Sequence, residues 1–367
     1  MRRSVLLATL LLVLATTGPA VAAPPSAPAP APLAATPVQV YGAWHCGDDF
    51  CTWGTARTVA QFDSQNHWLV DRGDGRPSVN LVVLSFVNPL DLLRQTTDAT
   101  TLDGVPRGMT GEIVQYFTAR GVRVMLSIGG ITYTDDWDTA LAENPTLLGQ
   151  RAAAVATRLG VGIEIDYEQN TGPNLAGLQS FIDAYRAVHP YDATGARAPA
   201  RLTIDVAAGD RWLIDLNRKA TADWLRTDTP VLDYANAMVT ARPVSASTAQ
   251  ANWQEHVDGK AQYSPPVPPL APAKFTGAVY LAYGGKPLPE CVDYATSVQK
   301  AAAPYVQSVA PHGAGSTAGM LGFMFWAAER PATRGIGTVP PNTCEGGAGA
   351  GATALAVPVP MPALRQG

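Results

Sequence analysis

The chain has 367 residues, 47% of them hydrophobic and 15% charged, with a formal net charge of −4. That composition supports a large globular core, and without a cluster of Lys and Arg it excludes a basic nucleic-acid footprint. Four cysteines, an even number, fit an oxidising compartment.

The chain starts with Arg2 and Arg3, an apolar run from Val5 to Ala15, and the small residues Ala20-Val21-Ala22. That order is the pattern of a secretory signal, so residues 1–22 are expected to be removed and the mature chain, from Ala23, to be secreted. The apolar run is too short for a comfortable membrane span, and no later segment could make one, so the mature form is expected to be free of the membrane. Residues 23–37 ("APPSAPAPAPLAATP") read as an Ala/Pro linker, and residues 345–367 as a low-complexity tail. One continuous domain, residues 38–344, lies between them.

Within that domain, short runs rich in β-branched and aromatic residues recur. In chain order they are Val38–Trp44, Val79–Val87, Val122–Gly130, Val161–Glu168, Arg201–Ala208, Val231–Val239, Phe275–Gly285 and Ala318–Ala328. Helical patterns fall between several of them, at Thr110–Gly121, Leu147–Gly160 and Asn174–His189. Pro173 and Asn174 supply a helix start, and Gly121 and Gly160 supply stops. Strand–helix alternation of this kind implies an α/β fold with a parallel sheet. Eight such strands in about 300 residues fit a single-domain (β/α)8 TIM barrel better than an open doubly wound sheet. The Gly-x-Gly-x-x-Gly turn that a dinucleotide-binding sheet would want after an early strand is absent.

Cys46 and Cys51 are close in sequence, while Cys291 and Cys344 are late. Spacing alone leaves three pairings open; Cys46–Cys51 and Cys291–Cys344 are the expected ones. A metal site at His45, Cys46 and Cys51 would lack a fourth ligand and a paired Cys-x-x-Cys, so none is expected.

The most informative stretch is "LGVGIEIDYEQ", Leu159 to Gln169. Alternate residues of a strand share a face, so Glu164, Asp166 and Glu168 line up opposite Ile163, Ile165 and Tyr167. If the isoleucines pack on helices, the three acids point into the barrel, about 6.5 to 7 Å apart along the strand. Carboxylates so close in a low-dielectric interior share protons and raise one another's pKa values. Barrel sites lie at the C-terminal ends of the strands, which places Glu168 at the mouth, Asp166 one step deeper and Glu164 deepest. The arrangement suits a general acid, a glutamic acid kept protonated near neutral pH by a neighbouring carboxylate. After the third strand, "ITYTDDWDTA" reads as a loop whose Asp135, Asp136 and Trp137 either line the cleft or are simply polar loop.

These residues resemble the family 18 glycoside hydrolases, the chitinases and endo-β-N-acetylglucosaminidases. That family's fourth-strand signature, Asp-x-x-Asp-x-Asp-x-Glu, aligns with Val161, Glu164, Asp166 and Glu168, and its glycine with Gly162. The family's third strand ends Ser-x-Gly-Gly, here Ser127-Ile128-Gly129-Gly130, and its eighth carries a sugar-floor tryptophan, here Trp326. Its sixth strand ends Met-x-Tyr-Asp, where this chain reads Met238-Val239-Thr240-Ala241. Thr240 is too short to replace that tyrosine, and Tyr283 is the residue expected to offer a hydroxyl instead.

The resemblance implies a substrate-assisted retaining hydrolase, with Glu168, Asp166 and Glu164 as catalytic residues. It implies substrate contacts from Trp326, Tyr283, Met238, Ser127 and Gly129. Neither metal nor organic cofactor is called for, and the expected partner is a carbohydrate containing N-acetylglucosamine, met by a monomer. Chitin and its oligomers are the first substrate reading, the core of N-glycans the second. A carbohydrate-binding barrel without catalysis is the rival.

Overall fold

A computed structural model of the chain describes residues 40–45, 58–71, 77, 79–207, 212–238, 246–280, 282–283, 286–287 and 320–326. The chain divides into residues 1–34 and 35–367, and every described residue belongs to the second unit. The four cysteines, the leader, the linker and the tail lie outside the described residues, as do Thr240 and Ala241.

Eight parallel strands close into a barrel, as the alternating pattern predicts. They are β1 (Val40–His45), β2 (Leu81–Val87), β3 (Arg123–Gly129) and β4 (Gly162–Asp166), then β5 (Leu202–Ala207), β6 (Ala235–Met238), β7 (Phe275–Tyr280) and β8 (Gly322–Trp326). Each strand pairs with the next in sequence, and β8 returns to β1 with Val40 opposite Gly322 and Ala43 opposite Phe325. The connections supply helices α1 (Val59–Asn66), α2 (Pro89–Arg94), α3 (Gly111–Thr118), α4 (Thr134–Glu143), α5 (Pro145–Leu159), α6 (Leu175–Val188), α7 (Ile214–Lys219) and α8 (Ala246–Asp258). Among the described residues no helix is long and apolar enough to cross a membrane.

Several bounds differ from the sequence expectation: β4 ends at Asp166, before Glu168, and β7 ends at Tyr280, with Tyr283 in a separate antiparallel pairing instead of at its end. The sixth strand starts at Ala235 and not at Val231, because Val231 and Leu232 donate their N–H groups to Trp224 and Asp233 donates to Leu202 in a turn; Val239 lies outside the described residues. The segment "ITYTDDWDTA" is not a loop. It forms a 3₁₀ turn, Ile131–Tyr133, and then starts α4, with Asp135 and Asp136 in the first turn where the helix dipole favours acids.

The period of two on each strand separates two cores. Outward residues such as Val82, Leu84, Leu126, Ile163, Ile165 and Ile204 pack under the helices, with Phe117, Leu148 and Phe181. Inward residues Val40, Leu81, Val83, Met125, Tyr234, Ala278, Leu321 and Met324 form a separate apolar plug, which the Trp44 ring joins. Thus the isoleucines of β4 do face the helices, and the acids between them face the interior.

The helices on either side of β4 are capped, at Gly160 and Asn174 as the sequence suggests. Asn144 accepts from Leu147 N–H at the start of α5, and Pro145 occupies the first turn, where its missing donor costs nothing. Gly160 ends α5 at φ +69°, in the left-handed region open to glycine. Asn174 caps α6 by accepting from Gly177 N–H. The two helices approach closely at Gly149, where a Cβ would press on the Phe181 carbonyl.

Candidate active site

Glu164 is fully buried on β4 and meets two donors from across the barrel. Trp44 Nε1 of β1 donates to its Oε1 at 2.8 Å, and Asn236 Nδ2 of β6 donates to its Oε2 at 2.6 Å. The Asn236 amide is oriented in turn by Thr276 of β7, whose hydroxyl donates to Asn236 Oδ1 at 2.6 Å. Four of the eight strands thereby converge on one carboxylate. Burial raises the Glu164 pKa, and Trp44, Ser127, Asp205 and Asn236 oppose the rise. A carboxylate holding two N–H donors is stabilised in its charged form, so of the buried acids Glu164 is the one whose anion these donors favour.

Asp166, 3% exposed, lies one step along the same face. Burial first, then the charges of Glu168 and Glu164, hold it well above the usual carboxylate range. Its Oδ1 has no hydrogen-bond partner among the described residues. Glu168 follows just past the end of β4 and is 8% exposed. Burial pushes its pKa up to about 7, while the N–H of Ile131 pulls the other way by donating to it. The cause therefore differs from the sequence expectation: burial raises Glu168, and the repulsion between neighbouring acids falls on Asp166.

The backbone that aims these acids is fastened from α4. The Asp166 carbonyl accepts from Gly130 N–H at 2.9 Å and from Trp137 Nε1 at 3.1 Å. Trp137 Nε1 also reaches the Ile128 carbonyl at 3.2 Å, tying the ends of β3 and β4 together. Gly129 sits at φ +120° directly against that junction, and a Cβ there would overlap the Asp166 carbonyl and the Trp137 indole. Its role is close backbone approach. One residue further, Asp138 accepts from the Tyr167 hydroxyl and, at 2.7 Å, from Gln169 Nε2. Asn174 N–H donates to the same Tyr167 hydroxyl at 2.9 Å. Glu168 is thus bracketed by two anchored neighbours, Tyr167 and Gln169.

The structure brings together Glu164, Asp166, Glu168, Ser127 and Gly129. Ser127 pairs in register with Glu164 and Gly129 with Asp166. Met238 ends β6, partly exposed and packed against the outer core. For Trp326 and Tyr283 the backbone alone is described: Trp326 ends β8, and Tyr283 lies in a two-residue pairing with Lys286. Trp137, one of two alternatives left open by sequence, is buried under the site instead of lining a cleft.

Sequence reasoning missed Trp44, Asp138, Asn236, Thr276 and the further acid Asp205 of β5, which is 2% exposed. A lone acid inside "LTIDVA" was the available signal for Asp205. Among the described residues no group of three or more His, Cys, Asp or Glu is arranged to hold a metal ion.

No protein-family model matches the chain, and no curated protein matches it. Among solved structures it is similar to a chitinase from Rhizomucor miehei, at 14% identity and a TM-score of 0.51, over 86% of this chain and 99% of that one. It is also similar to a chitinase from Bacillus thuringiensis, at 13% identity and a TM-score of 0.49, over 87% of this chain and 70% of that one. A family 18 chitinase from Pseudoalteromonas aurantia matches at 12% identity and a TM-score of 0.48, over 71% of this chain and 90% of that one. At 14% identity the likeness to the Rhizomucor miehei chitinase is one of fold, and it agrees with the closed barrel described above.

Proposed function

We propose that the chain is a secreted, chitinase-like member of the family 18 glycoside hydrolases, acting on β-1,4 bonds of N-acetylglucosamine-containing glycans. The observation that carries this reading is Glu168: a nearly buried acid at the mouth of a barrel, lifted to about 7, with a second unpartnered acid directly beneath it. An acid at that pKa holds its proton about half the time at neutral pH, which suits both donation and later acceptance. The barrel shared with the Rhizomucor miehei chitinase supports the scaffold, and the leader pattern of residues 1–22 supports export.

In this reading Glu168 protonates the glycosidic oxygen as the bond to the anomeric carbon breaks. The substrate's own acetamido oxygen attacks that carbon, the exception to the two-carboxylate scheme for which the family is known. Asp166 orients the acetamide and steadies the positive charge that develops on it. Glu168, now ionised, removes a proton from the water that opens the cyclic intermediate. Glu164 stays ionised and fixed, and its charge favours the proton on Asp166.

The experiment is hydrolysis of a chromogenic chitobioside by the mature protein and by Glu168→Gln. Loss of turnover by a factor on the order of 10³ is expected, with the fold intact by circular dichroism. Unchanged turnover in the variant, or no hydrolysis of any N-acetylglucosamine substrate by the wild type, overturns the reading.

A further inference from the structure

Asp205 is the acid that the reaction above does not use. It stands on β5 and pairs in register with Asn236 of β6, while Glu164 pairs with Thr203 two residues before it. Continued one step, the β4–β5 register sets Asp205 beside Asp166. From β4, Glu164 and Asp166 face it; from β6, Asn236 does, and Tyr234 lies below toward Glu164. No cationic side chain is among these neighbours. Asp205 is 2% exposed, and its Oδ1 has no hydrogen-bond partner among the described residues.

Such a group is costly as an anion. A buried carboxylate without a cation or full set of donors is strongly disfavoured, and here two further carboxyls stand against it. Glu164 already holds the N–H donors of Trp44 and Asn236, so the charge in this part of the interior is settled there. The neighbouring acid then has one productive form, a carboxylic acid whose O–H points at Glu164. Burial first, and then Glu164 and Asp166, push its pKa in that direction, against a weaker pull from a hydrogen bond with Asn236.

We infer that Asp205 is a positioning residue of the proposed reaction: as a neutral acid it donates to Glu164, and so leaves the Asp166 proton available toward Glu168 and the acetamide. Without that donor, Glu164 would draw its third hydrogen bond from Asp166. The Asp166 proton would then be locked downward, away from Glu168 and from any acetamide. This inference rests on the family 18 reading for its kinetic consequence, although the protonation of Asp205 does not.

Two measurements test it. The first is kinetic and compares Asp205→Ala with Asp205→Asn. The alanine variant removes the donor, so kcat is expected to fall roughly tenfold to a hundredfold, with KM changed little. Its kcat–pH profile should move as well. The asparagine variant keeps a neutral donor in the same shape, and should recover most of the lost rate and the original profile. Wild-type kinetics in Asp205→Ala, or equal damage in both folded variants, overturns the inference.

The second measurement needs no substrate and no alanine variant. Infrared difference spectra of the wild type against Asp205→Asn, taken at about pH 7 where exposed carboxyls are ionised, should show loss of a C=O stretch of a neutral carboxylic acid. Persistence of the whole band means that Asp205 is ionised, and it sinks the inference even if the enzyme reading stands. Loss of the band in a protein that hydrolyses nothing upholds the protonation and rejects the enzyme reading instead.

Discussion

The interior of this barrel has two halves built on the same strands. Toward the strand starts, Val40, Leu81, Met125, Leu321 and Met324 fill the lumen with apolar side chains. Toward the strand ends, Ser127, Glu164, Asp166 and Asp205 fill it with polar ones, joined by Asn236 and Thr276 from the beginnings of β6 and β7. The two halves are equally buried, so they teach what burial does to each kind of group. Below, removal from water stabilises the fold. Above, the same removal works against ionisation, and it raises every acid whose donors are too few. The plug is therefore part of the site's chemistry, because it keeps water from reaching the acids from beneath. Trp44 belongs to both halves: its ring lies in the plug and its N–H reaches Glu164.

Substitutions on either side of that divide should separate rate from stability. The largest effect is expected for Asp166→Asn, with a fall in kcat on the order of a hundredfold or more and little loss of stability. Burial raises Glu168, and Asp166 is already held neutral, so the alkaline limb of kcat/KM should stay near its wild-type position. A limb that moves to lower pH would show that Asp166 carries charge beside Glu168 in the wild type.

Met324→Ala tests the other half. Deleting most of a buried methionine should cost about 2–5 kcal/mol in chemical denaturation, with the pH limbs of activity unmoved. If those limbs shift, the two halves are not separable. Trp44→Phe lies on the boundary and should do some of each. It keeps an aromatic ring but leaves Glu164 with a single N–H donor, at a cost of about 1–3 kcal/mol, and it should disturb the pH profile as well.

The last effect is a slope in stability with pH. Folded, Glu168 keeps its proton up to about 7; unfolded, it loses it near the ordinary glutamate value of 4.5. Between those values the folded state binds the extra proton, so stability falls as pH rises. The thermal midpoint should therefore decline from pH 5 to pH 7, and Glu168→Gln should flatten that decline. An equal slope in the variant would assign the proton uptake to other groups.

Much of this was legible in the sequence, for a physical reason. The acids of "GIEIDYE" announce themselves because a strand's period of two is local: three alternate acids can only share a face. The capped helices on either side were legible for the same reason, since Asn174 and Gly160 act within one turn of themselves. What was not legible depends on closure. Trp44, Asn236 and Thr276 become partners of Glu164 only when strands far apart in sequence come into register, and no local pattern marks them. Asp205 is a single acid in an apolar strand, so its face is decided by that register. The stretch after Gly130 misled because Gly-Gly and a run of polar residues look like an open loop. Trp137 turns inward there because its N–H finds two carbonyls at the strand ends.

The clamp from α4 has a consequence for how the molecule could be changed. Trp137 and Asp138 fix the chain on both sides of Glu168, and Asn170 is held separately by accepting from Leu213 N–H at 2.8 Å. Beyond those anchors, Thr171 and Gly172 stand exposed. New segments grafted at that tip could remodel what the barrel grips while the proton donor stays where it is. The scaffold thus separates the part that reacts from a part that is free to diversify.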